Sequence, residues 1–422
     1  MDEGREYRPR LIDELLERLL EELPAILVVG ARAVGKTTTA SQLSRSRLRL
    51  DVPAEAHAVR ADPDAAIAVE HAPLLIDEWQ EVPQVLPAVK RSVDGDPASG
   101  RFILTGSVSA ELAGASSAGT GRIVRLQMVG LTVREREGLG STEPFLAALV
   151  AGHVDPHRLH SGLDVVDYLD LALASGFPEA VELSSSARAY WLDGYVAQVT
   201  ARGAVVGDDA GVGRVRDPAR LRRYLESYAL NSAGIPEAQT LYRAAGVAKA
   251  TATSYEELLE ALFLVERIPA WETNRVQRLV RAPKRYMTDA AVLAAVARVD
   301  RETIRRDGDL LGRMIDTFVV SQLRAERLAM PRPPSFFHLR QRDGRREIDL
   351  IIDLGAGRVA AIEIKAGASV DAGDARHLVW LRDELGDRFV AGVVLHTGPL
   401  GFTLAERIHA VPISALWTTP RA

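Results

Sequence analysis

The stretch from Ala25 to Ala40, AILVVGARAVGKTTTA, decides how this chain is read. Its apolar run, Ile26-Leu27-Val28-Val29, predicts a buried strand. Gly30 and Gly35 then bound a turn that leads into Lys36-Thr37-Thr38. Strand, then G-x-x-x-x-G-K-T, then helix is the phosphate-binding P-loop in its required context. The amides of Gly30, Ala31, Arg32, Ala33, Val34, Gly35, Lys36, Thr37 and Thr38 would cradle an anion at the start of the helix. Lys36 would reach the β- and γ-phosphates, and Thr37 would offer its hydroxyl to Mg²⁺. A glycine turn in an ordinary strand–helix unit is the plain alternative, and the fit of both flanks argues against it.

Downstream, Leu74-Leu75-Ile76 ends in Asp77-Glu78. Three apolar residues closing on adjacent acids predict a buried parallel strand with carboxylates at its C-terminal edge, where open α/β sheets bind ligands. Asp77 is the expected Walker B acid, holding Mg²⁺ through water, and Glu78 is placed to orient or deprotonate the attacking water. Phe102-Ile103-Leu104 runs into Thr105-Gly106-Ser107, and Thr105 and Ser107 are both candidates to contact the γ-phosphate or the water. Turn chemistry explains Thr-Gly-Ser equally well. Arg122 is a candidate arginine finger, acting on its own nucleotide or on that of a neighbouring subunit in a homo-oligomer; a surface arginine fits the same spacing. Strands over 26–29, 48–51, 74–77, 102–105 and 123–127 predict a parallel sheet with crossover helices.

These residues carry a resemblance. Gly30 through Thr38, Ile76 through Gln80 with Val82-Pro83, Leu104 through Ser107, and Gly121-Arg122 followed by Leu131 through Glu135 resemble one group of prokaryotic AAA-type ATPases. In that group (AAA_14) the ATPase domain precedes a C-terminal domain of unknown function, DUF4143. The resemblance implies ATP and Mg²⁺ as cofactors and ATP hydrolysis as the activity. No Asn-Lys-x-Asp guanine-reading motif is present, so ATP is expected rather than GTP. Ser175-Gly176-Phe177-Pro178 is similar to the signature that opens the family's second part.

From Pro236, two helices joined at Gly246-Val247 precede strand candidates at Leu262–Val265 and Arg278–Val280. This pattern predicts a winged helix. Lys249 on the second helix is accompanied by Glu256, Glu257 and Glu260, which favours a scaffold or protein-contact role over DNA reading. Arg275, Arg278, Arg281, Lys284 and Arg285 make the wing basic and keep DNA binding open.

Near the C-terminus, Glu347–Ile352 and Val359–Lys365 flank a glycine turn and predict a β-hairpin. Alternation puts Glu363 and Lys365 on one side of their strand. With Asp349 opposite, Asp349 and Glu363 would hold Mg²⁺ and Lys365 would activate water for phosphodiester cleavage. The pattern resembles the PD-(D/E)xK nuclease fold, which also implies an extra acid at Asp316 on the preceding helix. A charged hairpin without catalysis is the alternative. Arg340, Arg342, Arg345 and Arg346 either track a phosphate backbone or form a solvated tip.

The expected fold is α/β throughout: an AAA+-like P-loop NTPase sheet, a winged-helix region and a mixed restriction-endonuclease-like domain. The expected boundaries are 1–140 for the ATPase, 141–235 for a helical linker, 236–300 for the winged helix and 301–422 for the nuclease-like domain. At 422 residues the chain is long enough for several cores. A net charge of −5 argues against a general nucleic-acid coat. The chain has no cysteine, a charged start (MDEGREYRPR) and no long apolar run, so a cytoplasmic protein without a membrane span is expected. Histidines are scattered singly, and no zinc is predicted. Three functions follow as expectations: an ATP-hydrolysing regulator of the C-terminal part, an ATP-coupled Mg²⁺-dependent nuclease of DNA or RNA, or a non-catalytic module that binds a protein partner.

Overall fold

A computed structural model describes residues 7–68, 70–107, 121–138, 143–205, 217–272, 281–341 and 345–418. Its first sheet holds β1 (Ala25–Val29), β2 (Ser46–Arg49), β3 (Leu74–Asp77), β4 (Phe102–Gly106) and β5 (Val124–Gln127), in the order β2-β3-β4-β1-β5. Every neighbouring pair is parallel. β1, β3 and β4 are buried along their whole length, which their apolar runs require. β2 begins two residues before the expected 48–51. It is an edge strand with alternating exposure, so it carries no apolar run to mark it. The Leu50 amide already turns to the Asp77 carbonyl at 3.0 Å.

The middle of the chain is helical, including Ser185–Val205, Pro218–Leu230, Ala238–Ala244 and Lys249–Ala261. A small antiparallel sheet follows, made of β6 (Val265–Ile268) and β7 (Lys284–Met287). Its strands are not those expected. Leu262 still belongs to the helix end, its amide bonded to Leu258, and Phe263 turns with φ 60°. Arg278–Val280 lies outside the described residues, as do Arg275 and Arg342.

The C-terminal sheet holds β8 (Ser335–Arg340), β9 (Glu347–Asp353), β10 (Val359–Lys365), β11 (Phe389–His396), β12 (Phe402–Ala405) and β13 (Ile408–Pro412). Its order is β12-β13-β11-β10-β9-β8. The sheet is mixed: β8, β9 and β10 are antiparallel, whereas β11 runs parallel to β10 and to β13. The chain is therefore α/β, with a parallel P-loop sheet at one end and a mixed sheet at the other. Among the described residues no helix is long and apolar enough to cross a membrane.

One helix, Gly308–Ala329, joins the two ends. Asp307 caps it, accepting the amides of Asp309 and Leu310. At 22 residues it spans about 33 Å. It buries Leu310, Ile315, Phe318, Val319 and Leu323, but also Asp316, Gln322, Arg324 and Glu326. The polar residues have work at the interfaces. Gln322 accepts the amide of Val133 at 2.8 Å, just beyond the P-loop sheet. Arg134 donates twice to the Leu416 carbonyl and faces Glu326 at 3.6 Å. Glu326 accepts the amides of Leu146 and Phe145 at 2.7 and 3.3 Å.

Burial pushes the Glu326 carboxyl up to about 7, against the pull of the Leu146 amide and Arg134. The folded chain then holds a proton that the unfolded chain releases. Stability from this group is present below the ordinary carboxyl range and is lost as pH rises to about 7. Between about pH 5 and about pH 8 the melting temperature of the wild type should therefore fall relative to that of Glu326→Gln. Parallel pH profiles for the two proteins would rule this out.

Candidate functional site

The P-loop leaves β1 at Gly30 and enters the helix Lys36–Ser41. Glycine is required at the exit, because a Cβ at Gly30 would stand 2.1 Å from the Met128 carbonyl oxygen. Gly35 has φ +95°, a left-handed conformation that a side chain would strain. Lys36 is buried, and its ammonium bonds the carbonyls of Gly30 at 3.0 Å and Ala31 at 2.8 Å. Burial pushes Lys36 down to about 8, with Glu78 and Asp77 opposing. The lysine thus spans its own loop.

The ends of β3 and β4 meet the loop. Thr37 donates to Asp77 Oδ1 at 2.6 Å, and Thr105 donates to the same oxygen. Arg47, on the edge strand, takes Asp77 Oδ2. Glu78 sits at φ 55°, an uncommon conformation for a non-glycine residue, and its carboxylate accepts from Gln80 and, at 3.4 Å, from Ser107. The Thr105-Gly106-Ser107 exit is more than a turn. A Cβ on Gly106 would lie 2.3 Å from the fully buried indole of Trp79, so glycine there lets the tryptophan pack under the acids.

Beneath the loop lies a residue to which no pattern points. Arg10 is buried and donates to Glu135 at 3.1 Å, to the Val34 carbonyl at 3.0 Å and to the Val129 carbonyl at 2.7 Å. Glu135 in turn accepts the amides of Leu11 and Thr132. Thr132 and Glu135 form a capping box that starts the helix Val133–Arg136. That box is legible as T-x-x-E; the reach of Arg10 is not.

The second part of the chain also presses on the loop. Leu131 donates to the Gly176 carbonyl at 2.6 Å, Pro178 abuts Gly35, and the Tyr195 hydroxyl reaches the Arg32 carbonyl at 3.4 Å. Ser175 and Gly176 both donate to Asp289. Tyr195, Trp191 and Phe177 form one aromatic group, which backs the Tyr195 contact to the loop.

Arg122 lies elsewhere: half-exposed, it pairs with Asp94 at 2.7 Å. Of the basic residues expected on a wing, the three that are described are paired, Arg281 with Glu272 at 2.7 Å. Lys284 is buried between carboxylates, and Arg285 pairs with the buried Glu256 at 2.7 Å. Glu256 is therefore bound internally and presents no repulsive charge to a phosphate. In the C-terminal domain the structure brings Asp316, Asp349 and Glu363 together, with Asp349 and Glu363 sharing a hydrogen bond. Lys365 is half-exposed and faces Asp374 at 3.9 Å; the ammonium that meets Asp316 and Asp349 belongs to Lys284 instead. Arg340 faces Glu347 at 3.7 Å and Arg346 stacks on Trp380. Among the described residues, no group of three His, Cys, Asp or Glu is disposed to hold a metal ion.

Three family models match the chain. One described as an AAA domain covers residues 22–137. A domain of unknown function, DUF8612, covers 165–303, and DUF4143, also of unknown function, covers 311–416. Residues 22–137 are thus an AAA-type P-loop domain, followed by the DUF4143 domain at the C-terminal end. Uncharacterized proteins of Mycobacterium tuberculosis and Mycobacterium bovis are each 29% identical over 410 residues, 96% of this chain and 83% of theirs. Among solved structures, AMPPCP-bound DnaA from Aquifex aeolicus is 15% identical with a TM-score of 0.22, over 59% of this chain and 86% of that one.

Arg10→Ala should lower stability by about 3–5 kcal/mol, because it leaves the Glu135 charge buried without its partner. Chemical denaturation measures this. In the Arg10→Ala/Glu135→Ala double variant the loss should fall well short of the sum of the single losses; strict additivity would show that the two do not act as a pair.

Proposed function

We propose that the chain binds and hydrolyses ATP with Mg²⁺ and that its nucleotide state regulates the C-terminal module. One observation carries this reading. Thr37 and Thr105 both donate to one carboxylate oxygen of Asp77 at the mouth of a loop whose buried lysine spans it. A strand–helix turn without chemistry has no use for that convergence.

In this reading Gly30 to Thr38 hold the phosphates, and Lys36 exchanges its two carbonyl partners for phosphate oxygens. One hydroxyl and one carboxylate suit Mg²⁺, which keeps water and phosphate oxygens in its shell; bound by Thr37 and Asp77, it would supply charge neutralisation at the phosphates. Glu78, held by Gln80 and Ser107, orients the attacking water once released from them. Thr105 reports on the site by exchanging Asp77 for the γ-phosphate. Arg47 must leave Asp77 as nucleotide enters, and Arg122 serves a neighbouring copy after parting from Asp94.

A contiguous path supports regulation. Arg10 joins Val34 of the loop to Glu135; the preceding residue, Arg134, is clamped on Leu416 and the helix Gly308–Ala329; that helix carries Asp316 to the C-terminal sheet. Movement of the P-loop on filling is thereby felt by a rigid rod that reaches the far domain. With the basic residues of β7 buried, the middle region is better suited to contact a protein partner than DNA.

Lys36→Ala should abolish ATP turnover, read by phosphate release with Mg²⁺; unchanged turnover would end the proposal. Glu78→Gln should keep ATP binding and slow turnover by roughly 10²–10⁴-fold. The same assay with single- and double-stranded DNA should show no stimulation, and stimulation would return DNA as the partner.

A further inference from the structure

The acids of the C-terminal domain already have a cation, supplied from outside that domain. Lys284 opens β7, and its side chain is 2% exposed. Its ammonium donates to Asp316 Oδ2 and to Asp349 Oδ1, both at 2.8 Å. The remaining oxygens of both acids are occupied. The Tyr286 hydroxyl donates to Asp316 Oδ1 at 3.0 Å, and the Ile364 amide donates to Asp349 Oδ2 at 2.9 Å. Glu363 shares a hydrogen bond with Asp349 and lies 3.7 Å from His377. The Tyr286 ring is 5.4 Å from the ammonium. Every carboxylate oxygen of Asp316 and Asp349 thus meets a donor from the protein.

Burial drags the Lys284 ammonium down, but Asp316 and Asp349 outweigh it and hold Lys284 well above its usual value. The cluster is not sealed in the core. Asp316 and Ile364 line an open cleft of about 490 Å³, together with Gly312, Arg313, Arg340 and Glu347. Small ions have a way to Asp316, whose carboxylate is already held by the Lys284 ammonium. Nor is Lys284 on a loose arm. Beyond β6 the chain bonds β8 directly, His338 donating to the Pro269 carbonyl at 3.0 Å and Trp271 to the His338 carbonyl at 2.6 Å. A second cation placed among these oxygens would meet like charge at contact distance and would have to displace donors that already satisfy them.

We propose that Lys284 is a built-in replacement for a divalent cation, locking Asp316 and Asp349 across the β7–C-terminal boundary and keeping metal ions out of the acidic cluster. The lock makes the domain boundary an ion-pair joint and leaves the acids without metal in the intact chain. It stands apart from the ATPase reading, because none of its residues touches the P-loop.

Mn²⁺ binding to the full chain, without nucleotide, tests it by calorimetry and by thermal melting. Wild type should show no binding that depends on Asp349. Lys284→Met, which keeps the volume of the stem, should melt lower, and Mn²⁺ should raise its melting temperature by several degrees. The Lys284→Met/Asp349→Asn variant should lose that rise. Should Lys284→Met fail to fold in metal-free buffer, its recovery in Mn²⁺ but not in K⁺, absent from the double variant, supports the proposal equally. Asp349-dependent Mn²⁺ binding by wild type, with or without ATP, would overturn it. So would a Lys284→Met protein on which Mn²⁺ has no Asp349-dependent effect. Cleavage of DNA or RNA by Mn²⁺-loaded Lys284→Met bears on a nuclease role alone, since the lock predicts metal uptake and not what the loaded site does.

Discussion

The buried fork of Arg10 is the contact on which the nucleotide end of this protein depends. One guanidinium ties the Val34 carbonyl of the P-loop, the Val129 carbonyl beyond β5 and the Glu135 carboxylate. A planar, permanently charged group with several donors suits three acceptors in fixed directions better than a lysine would. The pair is almost without solvent, so its attraction is barely screened, and either charge left alone would be costly. These bonds hold the shape of the loop from within the chain itself. Gly30 and Gly35 permit that shape, and Arg10 and Glu135 hold it.

The second constraint is the helix Gly308–Ala329. A helix built only to bury an apolar stripe would not place Asp316, Gln322, Arg324 and Glu326 inside. Each is answered by a polar group from another part of the chain: Lys284, the Val133 amide, Glu266, and the amides of Leu146 and Phe145. These bonds fix the rotation of the helix and so the aim of Asp316. The same rod meets the segment after β5 at Gln322 and the acidic cluster at Asp316, within two turns of each other. The two phosphate-like chemistries suggested by the sequence are consequently parts of one mechanical body.

Much of this was legible in the amino acids. The P-loop, Asp77 with Glu78, and the Thr105–Ser107 exit fall on strand ends because buried parallel strands are written as apolar runs. The hairpin of β9 and β10 was legible for the same reason, and so was the approach of Asp349 to Glu363. What misled were edges and long side chains. β2 alternates because one face is wet, and β6 begins only where the preceding helix unwinds. Lys284 and Arg285 read as a basic wing, since composition does not say which way a side chain points. Their strand turns them inward onto Asp316, Asp349 and Glu256.

The sequence by itself determined local form: a glycine-bounded turn between strand and helix, adjacent acids at the end of one buried strand, a Thr-Gly-Ser exit from the next, and a carboxylate pair on a hairpin. Each is a short-range pattern, and backbone geometry within one strand or turn is enough to set it. Only the tertiary structure decided which cation meets which acid. Arg10 lies 125 residues from Glu135, and Lys284 lies 32 and 65 residues from its two carboxylates. At such separations no periodicity links the partners, and charge pairing is settled by which buried carboxylate each stem can reach once the sheets have packed.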